Sequence, residues 1–360
     1  MQVLFDATPL ARGHAPRGIG VATRELIAAL ARVRPPDQRP ELLTTADQDV
    51  PAGYTCHRFR WPRWPVPHVP DPWPAMGLHN TLDKLRPQLF HATQPDLMPD
   101  PAQFATVATC YDLIPLHHAM RNPLERHAYA TYIQRLARAQ LVLAISHATA
   151  ADLSTQLGIP NDRIRVVYLG LPPAPEPNGP TPTTPYVLYA NGIEPHKNPR
   201  LAIDAVARTR DINLVMTGTW SRRRLARLQA HAAAAGVANR VHWLGYTPAD
   251  QLAALRRDAV AAVVPSRFEG FGFPVLEALA AGTPAIASDI PALREAGGDA
   301  AIYLDPDDPD SWAQTIDRLA AQPDERTAIA ERGRAHAASF TWERTAEATI
   351  DGWREVLRGG

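Results

Sequence analysis

The amino-acid sequence predicts an α/β protein built from two Rossmann-like domains, each a doubly wound parallel sheet. The chain has 360 residues, or about two domains at roughly 150 residues each. Short apolar runs alternate with segments of helical period, which is the pattern of βαβ units. A proline-rich stretch, residues 171–185, separates two regions with this pattern. We therefore expect a ligand-binding cleft between two halves, at the carboxyl ends of their strands.

The first half, residues 1–170, opens with a strand at Val3–Phe5. A loop follows and ends in Gly18-Ile19-Gly20, after which apolar residues recur with helical spacing from Val21. Further strands are predicted at Thr106–Cys110, Leu141–Ile145 and Val166–Tyr168, and a helix over Arg126–Ala139.

Residues 171–185 contain seven prolines and no apolar period, so we interpret them as an extended linker. The βα rhythm resumes over residues 186–341. Strands are predicted at Tyr186–Ala190, Ile212–Met216, Val241–Leu244, Val260–Val264 and Ala285–Ala287, with helices between them that include Asn198–Arg208 and Arg222–Ala235.

The charge and the cysteine count exclude several classes of protein. The chain has 37 basic and 37 acidic residues, and this balance argues against a general nucleic-acid binder. Cys56 and Cys110 are too few for a disulfide framework. Apolar runs fall short of the roughly 18 residues of a membrane span, and the first residues lack the basic region of a signal peptide. We therefore expect a cytoplasmic protein.

The stretch Trp61–Trp73, WPRWPVPHVPDPW, concentrates tryptophan and proline and has two interpretations. One is a surface loop that buries its own aromatic rings. The other is an exposed aromatic face that contacts a lipid or sugar acceptor, since Trp favours interfaces. The second interpretation would place the protein peripherally at the inner face of the membrane.

The segment Val263–Ser288, VVPSRFEGFGFPVLEALAAGTPAIAS, carries the most chemical information. A buried strand is followed by a glycine-containing loop and a helix, with Pro274 expected at position N1 and Gly282 as the stop. Such a turn brings backbone N–H groups to an anion at the helix N-terminus. Glu269 and Glu277 are suited to accept hydrogen bonds from sugar or ribose hydroxyls. Together these features predict a site for a nucleoside diphosphate sugar.

Glu269 and Glu277, with seven residues between them in EGFGFPVLEALAAGTP, resemble the glutamate pair of the retaining GT-B glycosyltransferases of family 4, or group 1. The resemblance extends over nearly the whole chain. It includes the donor-domain opening at Tyr186–Ala207, the base-binding stretch Val241–Leu255, the glycine loop Arg17–Gly20, the acceptor-side motif Cys110–Leu116 and the terminal helix Trp342–Leu357. It implies an acceptor-side domain over residues 1–170, onto which a helix at 342–360 packs back, and a nucleotide-sugar domain over 186–341.

The resemblance also implies a role for each matching residue. Lys197 would neutralise the donor diphosphate, Glu277 would hold the ribose hydroxyls, and Glu269 would hold hydroxyls of the transferred sugar. The other donor-side residues are Gly18, Gly20, Gly192, Gly218, Gly245, Tyr246, Ser266, Gly270, Phe271, Gly272 and Phe273. The acceptor-side residues are Tyr111, Asp112 and His117, with Asp112 counted as catalytic beside Glu269 and Lys197.

The expected chemistry is departure of a nucleoside diphosphate, whose growing negative charge Lys197 and a helix N-terminus stabilise. In the family, the leaving phosphate is thought to take the acceptor proton on the same face, which retains the anomeric configuration. No obligatory metal and no cofactor beyond the sugar donor are expected. Asp305-Pro306-Asp307 is interpreted as a turn with a helix cap rather than a metal motif.

The sequence departs from the family pattern at two positions, of which one bears on the diphosphate-binding cation and the other on the donor sugar. Ile193 follows Gly192 where members often have an Arg, which leaves Lys197 as the main cation, with Arg267 and Arg200 as candidate helpers. Tyr111 replaces the His that many members have before the aspartate, and some mannosyltransferase-like members share this Tyr-Asp pair. We therefore expect GDP-mannose as the donor. The Trp61–Trp73 stretch and the habit of the family lead us to expect a glycan or lipid-linked oligosaccharide acceptor in polysaccharide or O-antigen-type synthesis. Rhamnose, glucose and N-acetylglucosamine donors remain alternatives.

Three alternative interpretations are weighed against this prediction. Lys197 alone is compatible with an ordinary surface charge at a helix start, although a cation there opposes the helix dipole. A nucleotide-sugar 2-epimerase shares the architecture but needs carboxylates for proton abstraction at C2, which the sequence does not offer. A non-catalytic nucleotide-binding subunit has no need for Lys197, Glu269 and Glu277 together.

Overall fold

The computed structural model of the chain describes residues 2–10, 18–45, 52–58, 74–99, 104–117 and 123–359. These residues divide into two compact units. The first unit comprises Met1–Gly170 together with Thr341–Gly360, and the second comprises Leu171–Phe340. The stretch Trp61–Trp73, with its predicted interfacial role, lies outside the described residues.

The described part of the first unit contains a seven-stranded parallel sheet with strand order β3-β2-β1-β4-β5-β6-β7. Its strands are β1 Val3–Asp6, β2 Glu41–Thr44, β3 Cys56–Arg58, β4 Leu89–Ala92, β5 Ala105–Cys110, β6 Leu141–Ala144 and β7 Ile164–Val166. The described second unit contains a six-stranded parallel sheet with order β10-β9-β8-β11-β12-β13. Its strands are β8 Tyr186–Ala190, β9 Asn213–Thr217, β10 Val241–Gly245, β11 Ala261–Val264, β12 Ala285–Ser288 and β13 Ile302–Leu304.

The helices connect these strands, as parallel pairing requires. In the first unit they are α1 Gly18–Val33, α2 Pro74–Leu85, α3 Ile114–His117, α4 Pro123–Ile133 and α5 His147–Leu157. In the second unit they are α6 Pro199–Arg208, α7 Arg222–Ala234, α8 Ala249–Asp258, α9 Phe273–Ala281, α10 Pro291–Gly297, α11 Pro309–Ala321 and α12 Pro323–Ala337. The chain then closes with α13, Trp342–Gly359, which belongs to the first unit. Both sheets have helices between parallel strands, so the predicted doubly wound α/β class is confirmed.

The closing helix is fixed to the first sheet by a buried histidine. Trp353 Nε1 on α13 lies 2.9 Å from Nδ1 of His91 on β4, and His91 Nε2 lies 2.8 Å from Thr109 Oγ1. An indole N–H can only donate, so Nδ1 accepts and Nε2 carries the proton that it donates to Thr109. Burial lowers the pKa of His91 to about 3, and the ring is therefore neutral. The hydrogen bonds of a neutral ring thus join α13 to two neighbouring strands.

Several predicted elements have different bounds in the structure, and some strands were not predicted. The predicted strand at Val166–Tyr168 lies two residues earlier, where Ile164–Val166 pairs with β6. The helix predicted from Arg126 begins at Pro123, is α-helical to Ile133 and continues as a 3-10 helix over Gln134–Arg138. Gly18-Ile19-Gly20, expected in a loop, form the first turn of α1. The strands β2, β3, β4 and β13 were not predicted.

Residues 171–185, all of which the structure describes, form no helix or strand, as expected of a proline-rich segment. Among the described residues, no helix is long and apolar enough to cross a membrane.

Candidate active site

The predicted donor residues of the second unit follow strands that are direct neighbours in its sheet. Gly192 follows β8, Gly218 follows β9, and Ser266 to Phe273 follow β11. These three strands are adjacent and parallel, in the order β9-β8-β11. Their carboxyl ends therefore share one edge, the place where open α/β sheets bind ligands.

Lys197 and Glu269 form a nearly buried ion pair at this edge. Lys197 Nζ lies 2.7 Å from Oε1 and 2.6 Å from Oε2 of Glu269, and the two side chains are 17% and 7% exposed. The buried hydroxyl of Ser266 donates to Glu269 Oε1 at 2.7 Å. The alternative that Lys197 is an ordinary surface charge is wrong, because the side chain is mostly buried and paired. The structure brings together three residues that the sequence analysis had placed on the donor side.

Tyr189 is a residue of this site that sequence reasoning missed. It lies in the buried strand β8, and its hydroxyl is 2.5 Å from the Gly192 carbonyl and 3.3 Å from the Lys197 carbonyl. Burial, followed by the carboxylates of Glu269 and Glu194, raises the pKa of Tyr189 well above its usual value. The phenol therefore remains a donor and fixes the turn that presents Lys197. A tyrosine inside a fully buried strand was the available signal, because its hydroxyl needs a partner.

The N-terminus of α9 is built by Gly272. Its φ of +123° lies in the region that favours glycine, and a Cβ would lie 2.8 Å from Ala296 Cβ and 3.0 Å from Leu293 Cδ2. The helix begins at Phe273, so Pro274 occupies N2 rather than the predicted N1. Gly282, with a φ of +76°, ends the helix as predicted. The first N–H groups of α9 thus lie at the same sheet edge as Lys197.

The residues before α9 are well packed. Phe271 is buried, and its ring meets that of Phe273 edge-on, with centroids 5.3 Å apart. Gly270 lies in the loop between Glu269 and this aromatic pair. This packing holds the glycine turn against the rest of the unit.

Glu277, the second glutamate of the motif, is paired with a different cation. On α9 its Oε2 forms a hydrogen-bonded ion pair with Arg256 Nη2 of α8, and the two side chains are 30% and 15% exposed. Thr283 Oγ1 donates to the Arg256 carbonyl and ties the end of α8 to the segment after α9. The two carboxylates of the motif therefore have separate partners, which their spacing in the sequence does not reveal.

The carboxyl ends of β9 and β10 carry three predicted donor residues, Gly218, Gly245 and Tyr246. Gly218 N donates to the Gly245 carbonyl at 2.9 Å, and the φ values of these glycines are +151° and +70°. Tyr246 is 79% exposed. Packing does not explain an aromatic ring that is so exposed beside two glycine turns. The exposure is compatible with the predicted donor role of Tyr246.

The acceptor-side residues belong to the first unit. Tyr111 and Asp112 follow β5 and line a cavity of about 280 Å³, together with Ile19, Gln94, Tyr129 and Leu136. Asp112 Oδ1 accepts from Ile114 N at 3.1 Å and so begins α3. Burial raises the pKa of Tyr111, which also hydrogen-bonds Thr23, so its phenol is protonated at neutral pH.

The remaining predicted residues of the first unit are Gly18, Gly20 and His117, which are near neighbours in the sequence of residues that line this cavity. Gly18 and Gly20 form the first turn of α1 on either side of Ile19, which lines the cavity. His117 Nε2 lies 2.8 Å from Asp152 Oδ2 of α5. The imidazole is therefore held by a carboxylate of the same unit.

The Asp305-Pro306-Asp307 segment is a turn, as predicted. Asp307 N donates to Asp305 Oδ1 at 2.8 Å, and the cap of α11 is Asp308, which accepts from the N–H groups of the first turn. Asp307 pairs with Arg267, one of the candidate helper cations. Within the described part of the chain, no three His, Cys, Asp or Glu residues cluster in a way that could hold a metal ion.

Comparison with known proteins identifies the class. The chain matches the family model "Glycosyl transferases group 1" over residues 173–336 and the model "Glycosyltransferase Family 4" over residues 16–174. Among solved structures, sucrose-phosphate synthase from Thermosynechococcus elongatus superposes with a TM-score of 0.78 at 19% identity, covering 100% of both chains. Anabaena HepE in complex with UDP and glucose gives a TM-score of 0.73 at 18% identity, over 99% of this chain and 100% of that one. The fold is that of the GT-B glycosyltransferases.

Curated relatives agree with this class. The O-antigen chain mannosyltransferase B of Escherichia coli is 29% identical over 269 residues, which are 69% of this chain and 70% of the relative. A D-inositol 3-phosphate glycosyltransferase of Segniliparus rotundus is 33% identical over 187 residues, 50% of this chain and 42% of that relative. The chain belongs to the group 1, family 4 glycosyltransferases, and the resemblance drawn from its motifs is confirmed.

Proposed function

We propose that this protein is a retaining glycosyltransferase that transfers mannose from GDP-mannose to a glycan or lipid-linked oligosaccharide. The observation that carries the proposal is the Lys197–Glu269 pair, with Ser266, beside the N-terminus of α9. The 29% sequence identity with an O-antigen chain mannosyltransferase supports mannose as the transferred sugar and a polysaccharide as the acceptor.

In this proposal the donor diphosphate lies between Lys197 and the N–H groups at the start of α9. Negative charge grows on the leaving phosphate as the sugar becomes oxocarbenium-like, and a cation and fixed N–H dipoles stabilise that charge. Glu269 exchanges part of its bonding to Lys197 for sugar hydroxyls, and Glu277 accepts from the ribose. The positive charge comes from protein groups, so we propose that no metal ion is needed.

The acceptor is proposed to bind at the cavity of the first unit that Tyr111 and Asp112 line. The protonated phenol of Tyr111 can donate to a hydroxyl but does not act as a base. In this proposal the leaving phosphate accepts the proton of the attacking hydroxyl on the same face of the sugar.

A donor panel tests the proposal. Purified protein is mixed with a glycan or lipid-linked oligosaccharide acceptor and, in turn, with GDP-mannose, UDP-glucose, UDP-N-acetylglucosamine or dTDP-rhamnose, with and without EDTA, and release of the nucleoside diphosphate is measured. We expect turnover with GDP-mannose that EDTA leaves unchanged, and an NMR spectrum of the product that shows the donor's α configuration. Turnover with a different sugar would replace mannose, inversion would refute retention, and loss of activity in EDTA would refute metal independence.

Variants separate an enzyme from a binding subunit. Glu269→Gln is expected to abolish turnover, while the exposed Glu176→Gln in residues 171–185 serves as the matched control. Equal turnover in both variants would contradict the role of Glu269.

Contact of Trp61–Trp73 with the acceptor stays a prediction. Deletion of this stretch should weaken acceptor use and spare donor binding, whereas equal loss of both would refute the contact.

A further inference from the structure

Three cations around the proposed donor site are paired with carboxylates of the chain. Lys197 Nζ bonds both oxygens of Glu269, Arg267 pairs with Asp307, and Arg256 pairs with Glu277. A nucleoside diphosphate carries more than one negative charge. A further cation at the same sheet edge would therefore strengthen its binding.

Arg224, in the first turn of α7, supplies such a cation. Its Nη1 lies 3.1 Å from Oε1 of Glu194, two residues after Gly192. The side chains of Arg224 and Glu194 are 48% and 42% exposed. The pair is accessible from solvent, and breaking an exposed pair of this kind costs little.

Glu194 folds back over the turn that ends β8. A Cβ atom at Gly192 would collide with Glu194 Oε2, so the carboxylate lies directly against the glycine backbone. In the same turn, Asn191 Nδ2 is buried and has no hydrogen-bond acceptor among the described residues. An arginine thus holds an anionic group against a turn at the ligand-binding edge. Guanidinium binds carboxylate and phosphate with the same fork of N–H donors, so a phosphate can take the carboxylate's place.

The start of α7 is fixed onto this turn by packing. Trp220 Nε1 donates to the Asn191 carbonyl at 3.3 Å. Gly218 has a φ of +151°, and a Cβ there would lie 2.6 Å from Trp220 Nε1 and 2.7 Å from the Asn191 carbonyl oxygen. Ser221 caps the helix by accepting from Arg224 N. The start of α7, and with it the position of Arg224 beside Glu194, is therefore set by the partly buried packing of Trp220 and Gly218 against the turn after β8.

We propose that Arg224 is a donor-binding residue that leaves Glu194 to bind the diphosphate of the nucleotide sugar. Glu194 is then a competing anion that holds Arg224 in place until the donor arrives. This inference rests on the proposed function. It adds to Lys197 a second cation, from α7, which compensates for the Arg that family members often have where this chain has Ile193.

Calorimetric titration of the full chain with GDP, UDP, ADP and dTDP first identifies the nucleoside diphosphate that binds. The dissociation constant of that nucleotide is then measured for Arg224→Gln, Glu194→Gln and the double variant. Arg223→Gln is the matched control, because Arg223 is an exposed arginine in the same helical turn. All four variants change exposed side chains, and retention of the wild-type melting temperature checks their folding.

Arg224→Gln should weaken binding about tenfold, the usual effect of losing one charge-assisted hydrogen bond, and Arg223→Gln should stay within about twofold of wild type. Glu194→Gln should bind about two- to fivefold tighter, because an exposed competing ion pair no longer has to break. That gain should vanish in the double variant. Equal effects of Arg224→Gln and Arg223→Gln, or a gain that persists in the double variant, would overturn the role of Arg224 and leave the proposed function standing. Absence of binding by the wild type to all four nucleotides would overturn both.

Discussion

Replacing Lys197 by Met tests whether the Lys197–Glu269 pair is as buried and as tightly coupled as its geometry indicates. The ammonium lies within 2.7 Å of both carboxylate oxygens, and the side chains are only 17% and 7% exposed. Removing one partner of a buried ion pair costs about 3–5 kcal/mol, because the remaining charge is left uncompensated. Ser266 still donates to Glu269, so we expect a cost near the lower end, about 3 kcal/mol.

This cost converts into a measurable change in melting temperature. The second unit, Leu171–Phe340, comprises 170 residues. For a unit of this size, 1 kcal/mol shifts the melting temperature by about 2–4 °C, so 3 kcal/mol corresponds to about 6–12 °C. Differential scanning calorimetry of the full chain, with the two units as separate transitions where they resolve, gives the measurement.

The double variant Lys197→Met/Glu269→Gln provides the decisive comparison. It removes both charges, and the neutral amide can still accept from Ser266, so at least about half of the lost stability should return. A single variant that melts within about 2 °C of wild type would refute the buried pair. A double variant that is less stable than Lys197→Met would refute the coupling.

Four further predictions follow from individual contacts. Trp353→Phe leaves His91 Nδ1 buried without its donor and should cost about 1–3 kcal/mol in the first unit, read from its melting temperature. His91 has a folded pKa of about 3 against an ordinary value of 6.5, so its contribution to stability is present above pH 6.5 and is lost as the pH falls towards 3; His91→Gln should remove that part of the acid dependence. Gly272→Ala should lower stability and donor binding more than Gly236→Ala, because both have positive φ but only Gly272 is crowded. Glu277→Gln should reduce the preference for a ribonucleotide over its 2′-deoxy analogue, measured as a ratio of dissociation constants.

Each of these predictions has an outcome that contradicts it. Equal melting temperatures for wild type and Trp353→Phe would mean that α13 does not depend on this hydrogen bond. Parallel pH profiles for wild type and His91→Gln would exclude the buried neutral histidine. Equal losses in Gly272→Ala and Gly236→Ala would assign the effect to backbone strain alone. An unchanged ribose preference in Glu277→Gln would remove that residue from the ribose site.

The fold class and most strands of both sheets could be predicted from the sequence, because apolar runs bounded by turn residues are local features; the central strand β4, Leu89–Ala92, was not predicted. The strands Val3–Asp6, Ala105–Cys110 and Ala261–Val264 agree with the predicted Val3–Phe5, Thr106–Cys110 and Val260–Val264 to within one residue at each end. The edge strand Cys56–Arg58 could not be predicted, since three residues of mixed polarity become a strand only through pairing with Glu41–Thr44.

The candidate site divides in a similar way. Glycine turns, the α9 start and the two motif glutamates are visible in the sequence, because a helix N-terminus and its glycine are encoded by adjacent residues. The ion-pair partners of the two glutamates cannot be identified from the sequence. Lys197 lies 72 positions from Glu269, and Arg256 lies 21 positions from Glu277.

By itself, the amino-acid sequence determined the class of the protein, its βα rhythm and the residue types available at the ends of its strands. The tertiary structure decided which charges meet. Strand order β9-β8-β11 brings Tyr189, Lys197 and Glu269 to one edge and pairs Arg224 with Glu194. The physical reason is that local pattern depends on neighbouring residues, whereas an ion pair depends on distances between strands that pair only after the chain has folded.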